Sequence, residues 1–234
     1  MKKTTSEFSV LFITLFFIAC KPDKINIVPH EINPDADIFY KQALVLLEYY
    51  DKDSTVKCLN ILEHALVMDS LNPDYYGLKA KLLAEMGLLD SALIVQSHAD
   101  KTGAITGEYL FQLGLFQAAK EMGVEAKESF KRSNEYLQTV LKKYPDSLGA
   151  FIIQQAANSL YLGQDSLFMD DVQEIRKRFP NRQMEVEMTR RVKPSSLIKQ
   201  IRNIEIDARY DINFNLDSLM EEAERTGKSI ISVK

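Results

Sequence analysis

Small side chains return every 34 residues through the middle of this chain, and that interval constrains the fold more than any other feature of its 234 residues. Cys58, Ala92 and Ala126 stand 34 apart, and seven positions further on so do Ala65, Ala99 and Ser133. Leu46, Ala80 and Gly114 form a third set at the same interval, large only in its first copy. A period of this length marks a stack of supersecondary units, each too small to bury its own apolar stripe without its neighbours. Small residues at fixed places suit the close crossing of two helices in a hairpin, because the residues at the contact set the distance between axes. From about Phe39 onward the apolar residues keep helical spacing, so the units are predicted to be helical. Asn72-Pro73-Asp74, Tyr144-Pro145-Asp146 and Phe179-Pro180-Asn181 place proline where one helix must stop and the next begin. Gly87 and Gly163 fall at turns inside units.

The second unit carries Tyr76, Ala80, Leu83, Gly87, Ala92 and Ala99 as aromatic, small, large apolar, turn glycine and two further small residues. In this it resembles the tetratricopeptide repeat family of helix-turn-helix units. A fourth unit follows after a slip of eight residues, with Ile152, Ala156, Gly163, Phe168, Ile175 and Pro180 at the corresponding places. It departs from the family at Phe168, which is large where alanine is usual, and at Ser159, which is polar where a bulky residue is usual. The extra residues, within 134–148, are expected to lengthen one helix to its end at Lys142-Lys143-Tyr144, where cations suit the negative helix terminus. The resemblance covers residues 37–182 and implies a mainly α fold, a right-handed superhelix of about four repeats.

It also implies a concave groove lined by the first helix of each unit. The family's groove positions fall on Tyr40, Ala43, Leu47 and Tyr50, on Asp74, Gly77, Lys81 and Glu85, on Glu108, Phe111 and Leu115, and on Ile153, Ala157 and Tyr161. This lining is aromatic and aliphatic at units one, three and four and charged only at unit two, which points to an apolar helix or extended segment of another protein as the partner. On this reading an aspartate at Phe111 leaves the helices intact and removes partner capture. The same residues also fit packing contacts within the superhelix, or cover for the chain's own tail.

Lys2 and Lys3 lead into the apolar run Phe8 to Ala19, too short for a bilayer span of roughly 20 residues. A basic start, apolar middle and small-residue end make an export signal of residues 1–19. Phe17-Ile18-Ala19-Cys20 resembles the lipobox of bacterial lipoproteins, in which the cysteine becomes the lipidated first residue, although Phe17 replaces the usual leucine and Ile18 the usual small residue. The resemblance implies lipidation of Cys20 in a Gram-negative cell envelope. Lys21 is not the aspartate linked to inner-membrane retention in enteric bacteria, which favours the outer membrane, facing the periplasm. Residues 20–36 hold Pro22, Pro29 and Pro34 without helical or strand period and read as a tether. Seventeen residues at about 3.3 Å each reach on the order of 55 Å. With Cys20 lipidated, Cys58 has no intramolecular disulfide partner.

The net charge is −4, and removal of Lys2, Lys3 and Glu7 with the signal takes it to −5. A mildly acidic chain without a Lys/Arg block lacks the footprint of a nucleic-acid binder. Among the three histidines, His64 and His98 are themselves 34 apart, so repetition accounts for their spacing. No Cys-x-x-Cys, His-x-x-His or His-Glu-x-x-His occurs, so no metal or other cofactor is expected. The chain also lacks Gly-x-Ser-x-Gly, a Walker loop and Gly-x-Gly-x-x-Gly, and it reads as a non-enzyme.

Residues 183–234 change character. Pro194-Ser195-Ser196 starts a helix that keeps its spacing at Leu197, Ile201 and Ile204. Then Ile204, Ile206, Ala208, Tyr210, Ile212, Phe214 and Leu216 alternate strictly with polar residues, the pattern of a half-buried strand. Ser218-Leu219-Met220-Glu221 is a capping box that opens a helix, Gly227 ends it, and Ser229 to Val233 reads as a second strand. A small strand-helix-strand appendage is therefore expected. Two strands are not stable alone, so it should lean on the repeats, pair with a second copy or be completed by a partner. Leu216 to Val233 is similar to the opening of thioredoxin-like domains, without a Cys-x-x-Cys to follow, and to the short unit at the start of secretin and TonB-dependent receptor chains.

Taken together these features describe a lipid-anchored protein-interaction scaffold of the cell envelope. The stretches 141–147 and 175–181 resemble unit ends in repeat lipoproteins that assist outer-membrane protein assembly, a narrower version of the same role. The alternatives are a toxin-neutralising protein and, in a different class, an enzyme fragment built on the thioredoxin-like tail.

Overall fold

A computed structural model of the chain describes residues 31–47, 52–190 and 193–210. Among them the backbone forms α1 (Pro34–Leu46), α2 (Lys52–Met68), α3 (Pro73–Glu85), α4 (Leu89–Thr102), α5 (Gly107–Ala119), α6 (Gly123–Lys143), α7 (Leu148–Leu162), α8 (Asp165–Arg178), α9 (Gln183–Arg190) and α10 (Pro194–Tyr210), with a 3-10 turn at Pro180–Arg182. These residues divide into two compact units, one of 106–202 and one of 31–105 with 203–210.

Each unit is a stack of helical hairpins, as in an α-helical solenoid. In residues 31–105, α1 pairs with α2 and α3 with α4, and α2 also packs on α3. In residues 106–202, α5 pairs with α6 and α7 with α8, while α6 and α5 both contact α7. The positions repeating at 34 are where the hairpins close: Cys58, Ala65, Ala92, Ala99, Ala126 and Ser133 are all buried. Cys58 Sγ donates to the Ala43 carbonyl at 3.2 Å, and Ser133 Oγ donates to the Gly107 carbonyl at 2.7 Å. A Cβ on Gly114 would fall 2.6 Å from the Phe130 ring. These side chains are small because a neighbouring helix stands there.

Two kinds of connection join the helices. At the turns inside hairpins, Gly87 and Gly163 adopt left-handed φ values of +77° and +70°. There Leu88 N–H reaches Leu83 O at 2.8 Å and Gly87 N–H reaches Ala84 O at 3.0 Å, satisfying the last carbonyls of α3. Glu121 occupies the matching place after α5 at φ 62°, with Met122 N–H on Gln117 O at 2.9 Å, so a non-glycine bears roughly 1 kcal/mol or more of left-handed strain. At the starts of the four first helices, the side chains of Asn33, Asn72, Thr106 and Ser147 accept from the backbone N–H of the first turn. The second helices α4, α6 and α8 have no side-chain cap, because each follows a tight turn directly. As the spacing predicts, α6 is long, 21 residues, and ends on Lys142 and Lys143.

The first hairpin runs in a different register. Asn33-Pro34-Asp35 and Asn72-Pro73-Asp74 each open a helix of 13 residues with starts 39 apart, and the fully buried Ala43 and Ala80 stand 37 apart. Cys58 lies 12 positions after the last residue of α1, Leu46, whereas Ala92 lies 7 after the last residue of α3, Glu85, so the added residues follow α1. Leu46 is thus not the counterpart of Ala80, which is why the third set of small residues breaks at its first copy. The proposed tether, 20–36, overlaps α1 at residues 34–36.

Over residues 204–210 the expected C-terminal strand is helix, and 211–216 lie outside the described residues. α10 continues to Tyr210, through Ile204, Ile206 and Ala208, and no strand occurs among the described residues. The alternation from Ile204 is real, but a helical stripe overlaps it: Pro194, Leu197, Ile201 and Glu205 are buried, Ile204 and Ala208 half-buried, and Ile206 is exposed. Extending a formed helix adds one hydrogen bond per residue without a new nucleus. The helical stripe also finds a partner, since the approach of Ala208 to Gly87 fixes that end of α10. The predicted helix at 218–227 and second strand at 229–233 lie outside the described residues.

Candidate functional site

The groove positions of the first helices divide by burial. In residues 31–105, Tyr40 is half-buried, its ring 5.2 Å from that of the fully buried Tyr75 and tilted by 41°. Leu47 and Gly77 are half-buried, Ala43 is buried under α2 and Asp74 is exposed, while Tyr50 lies outside the described residues. Lys81 is buried, and its Nζ stands 3.7 Å from the half-buried Glu85 carboxylate one turn on. Lys79, two residues earlier, is buried as well and donates to Glu63 of α2. In residues 106–202, Phe111, Leu115, Ile153 and Ala157 are all buried, whereas Glu108 and Tyr161 are half-buried. The Phe111 ring packs on Phe130 of α6 with centroids 6.0 Å apart.

Most of the apolar lining therefore faces the adjacent helix. Tyr40, Leu47, Asp74, Glu85, Glu108 and Tyr161 keep accessible surface. Burial pushes the Glu85 carboxyl above its usual range, opposed by Lys81, and burial pushes the Tyr75 hydroxyl up to about 12. A folded-state value raised above the unfolded one stabilises most at low pH and loses that contribution as pH climbs. The stability difference between the wild type and Glu85→Gln should therefore shift against the wild type as pH rises from about 4.3, the unfolded carboxylate value, through the folded one. Denaturant titrations across that window would test it, and a difference independent of pH would show that the fold leaves this carboxyl unperturbed.

The two repeated histidines serve as ring partners. His64 lies against Phe39 at 5.7 Å between centroids, and His98 against Tyr76 at 5.9 Å, each a hairpin's second helix touching its first. Among the described residues no group of three His, Cys, Asp or Glu side chains converges as a metal site would need. None of the helices there is long and apolar enough to cross a membrane.

The 34-residue interval did not reveal the paired buried lysines of α3 or the ring contact of Tyr40 with Tyr75. The doubled Asn-Pro-Asp, spaced 39 apart, signals that the first helices leave the 34-residue interval, and Phe39 and Tyr76, the ring partners of His64 and His98, stand 37 apart. Chemically, the accessible positions offer tyrosine rings, aliphatic edges and single carboxylates, a surface suited to non-covalent contact. No family model matches the chain, and no curated protein or solved structure is detectably similar to it.

Proposed function

We propose that this chain is a lipid-anchored protein-interaction scaffold of a Gram-negative cell envelope, of the tetratricopeptide type, holding a segment of another polypeptide along the first helices of its hairpins. The observation that supports this reading is the stack of small-residue hairpins, in a chain whose sequence begins with Lys2, Lys3 and an apolar run that stops at Cys20. Within each unit, stacked hairpins bring their first helices together, which gives a partner several spaced anchors. The groove positions with side-chain surface left for such contact are Tyr40, Leu47, Asp74 and Glu85 in residues 31–105, and Glu108 and Tyr161 in residues 106–202. On this reading a lipid on Cys20 anchors the scaffold, and Lys21 in place of aspartate favours the outer membrane, facing the periplasm.

Two arms of one experiment in intact cells test the reading. Labelled palmitate should enter the wild-type chain and not Cys20→Ser, and Cys20→Ser should leave the membrane fraction. A photo-crosslinker at Tyr40 or Tyr161 should capture one defined partner that is not captured from Ile94, an exposed position on the second helix of a hairpin. Label in Cys20→Ser removes the anchor. Identical capture from all three positions removes the groove.

A further inference from the structure

Where α2 ends, three large apolar side chains stand in solvent within five residues: Val67 is 86% exposed, Met68 47% and Leu71 47%. Single exposed apolar residues are ordinary on a protein surface, whereas several at one turn form a knob that water solvates poorly. The N-terminal side of the described chain is fastened to that turn. Asn33 N–H donates to Asp69 Oδ2 at 3.2 Å, and Asn33 Nδ2 donates to the Met68 carbonyl at 3.4 Å. Cys20 precedes Asn33 by 13 residues, so a lipid on Cys20 holds this turn within about 45 Å of the bilayer even with the intervening chain at full extension.

We propose that Val67, Met68 and Leu71 seat in the interfacial layer of the membrane that receives the Cys20 lipid, turning this corner of the α1–α4 unit toward the bilayer. The proposal rests on lipidation of Cys20. Apolar side chains at such a surface enter roughly 5–10 Å, to the boundary of headgroups and acyl chains. A lipid already in the bilayer supplies proximity, so a small knob suffices where it would not recruit a free protein. Charge selects the lipid class: Glu31 and Asp35 are exposed on either side of Asn33, which favours a zwitterionic surface over an anionic one.

The test uses the full-length lipidated chain, isolated from membranes and placed in vesicles of phosphatidylethanolamine and phosphatidylcholine. A polarity-sensitive dye is attached to Val67→Cys, and in a second preparation to Ile94→Cys, an exposed apolar position of the same unit. Cys58 is buried and stays unlabelled in the folded chain. Quenchers carried on the lipid should quench the dye at 67 about twofold or more over that at 94, and phosphatidylglycerol should weaken the difference. Equal quenching at the two positions in chains that float with the vesicles overturns the membrane seat and leaves the anchor standing. Chains that fail to float overturn the anchor and the seat together. A dye at 67 already shielded in the Cys20→Ser chain in solution also overturns the seat, giving the knob to a second copy if shielding grows with concentration and to this chain's own residues if it does not.

Discussion

Gly87→Ala should lower the stability of the α1–α4 unit by about 3 kcal/mol, from two additive causes at one atom. The first is conformational: Gly87 sits at φ +77°, and a residue with a Cβ pays roughly 1–2 kcal/mol there. The second is steric. An ideal Cβ on Gly87 lies 2.1 Å from the Ala208 Cβ and 3.4 Å from the Ile204 carbonyl oxygen, so α10 must retreat, at a cost of roughly 1–3 kcal/mol. Neither methyl has a rotamer through which to yield. Gly163 separates the causes, because it shares the left-handed backbone at φ +70° and a Cβ there meets nothing within 4 Å. Gly163→Ala should therefore lose only about 1–2 kcal/mol. Adding Ala208→Gly to Gly87→Ala removes the overlap but not the strain, so the double variant should be less damaged than the sum of the two single changes. Urea unfolding of these variants in the Cys20→Ser background, followed by circular dichroism, measures all of them. If Gly87→Ala loses no more than Gly163→Ala, the close approach of α10 is wrong.

That contact also shows where the sequence was readable and where it was not. Hairpins built on crossings of small residues could be read from Cys58, Ala92 and Ala126 because only a close helix makes a small side chain necessary at the same place three times. The register of α1 was hidden because the small-residue interval follows second helices, while the length of the connection after α1 moves the first helix independently. The end of α10 was misread for a different reason. From Ile204 to Tyr210 the residues satisfy a period of two and a period of 3.6 together, and local pattern contains nothing to choose between them. The choice is tertiary, made by a glycine 121 residues earlier whose missing side chain admits Ala208. Groove positions have the same limit: an apolar residue on a first helix can face a partner or the second helix of its own hairpin, and Phe111, Leu115 and Ile153 face inward.

Phe111→Asp is accordingly expected to unfold the α5–α8 unit rather than blunt a binding surface. Phe111 is 4% exposed, its ring tilted by 52° against Phe130. Phe130 in turn lies so close to Gly114 that its ring has little space to follow a shrinking neighbour. The substitution removes a buried ring, which alone costs roughly 3–5 kcal/mol, and puts a carboxyl in its buried place. A loss above about 4 kcal/mol approaches the whole stability of an ordinary domain, so the helical circular dichroism of residues 106–202 should fall away at room temperature. Phe111→Leu keeps an apolar side chain in the same space and should cost about 1–2 kcal/mol with the helices retained. If the aspartate variant instead keeps its helical signal while losing partner capture, Phe111 belongs to the groove and its packing on Phe130 is not what holds α5 to α6. Loss of folding in the aspartate variant, with partner capture intact in the leucine variant, would take Phe111 out of the binding contacts and leave the accessible positions of the first helices, such as Tyr40, Leu47 and Glu85 in one unit and Glu108 and Tyr161 in the other, where substitution can be tested without dismantling the scaffold.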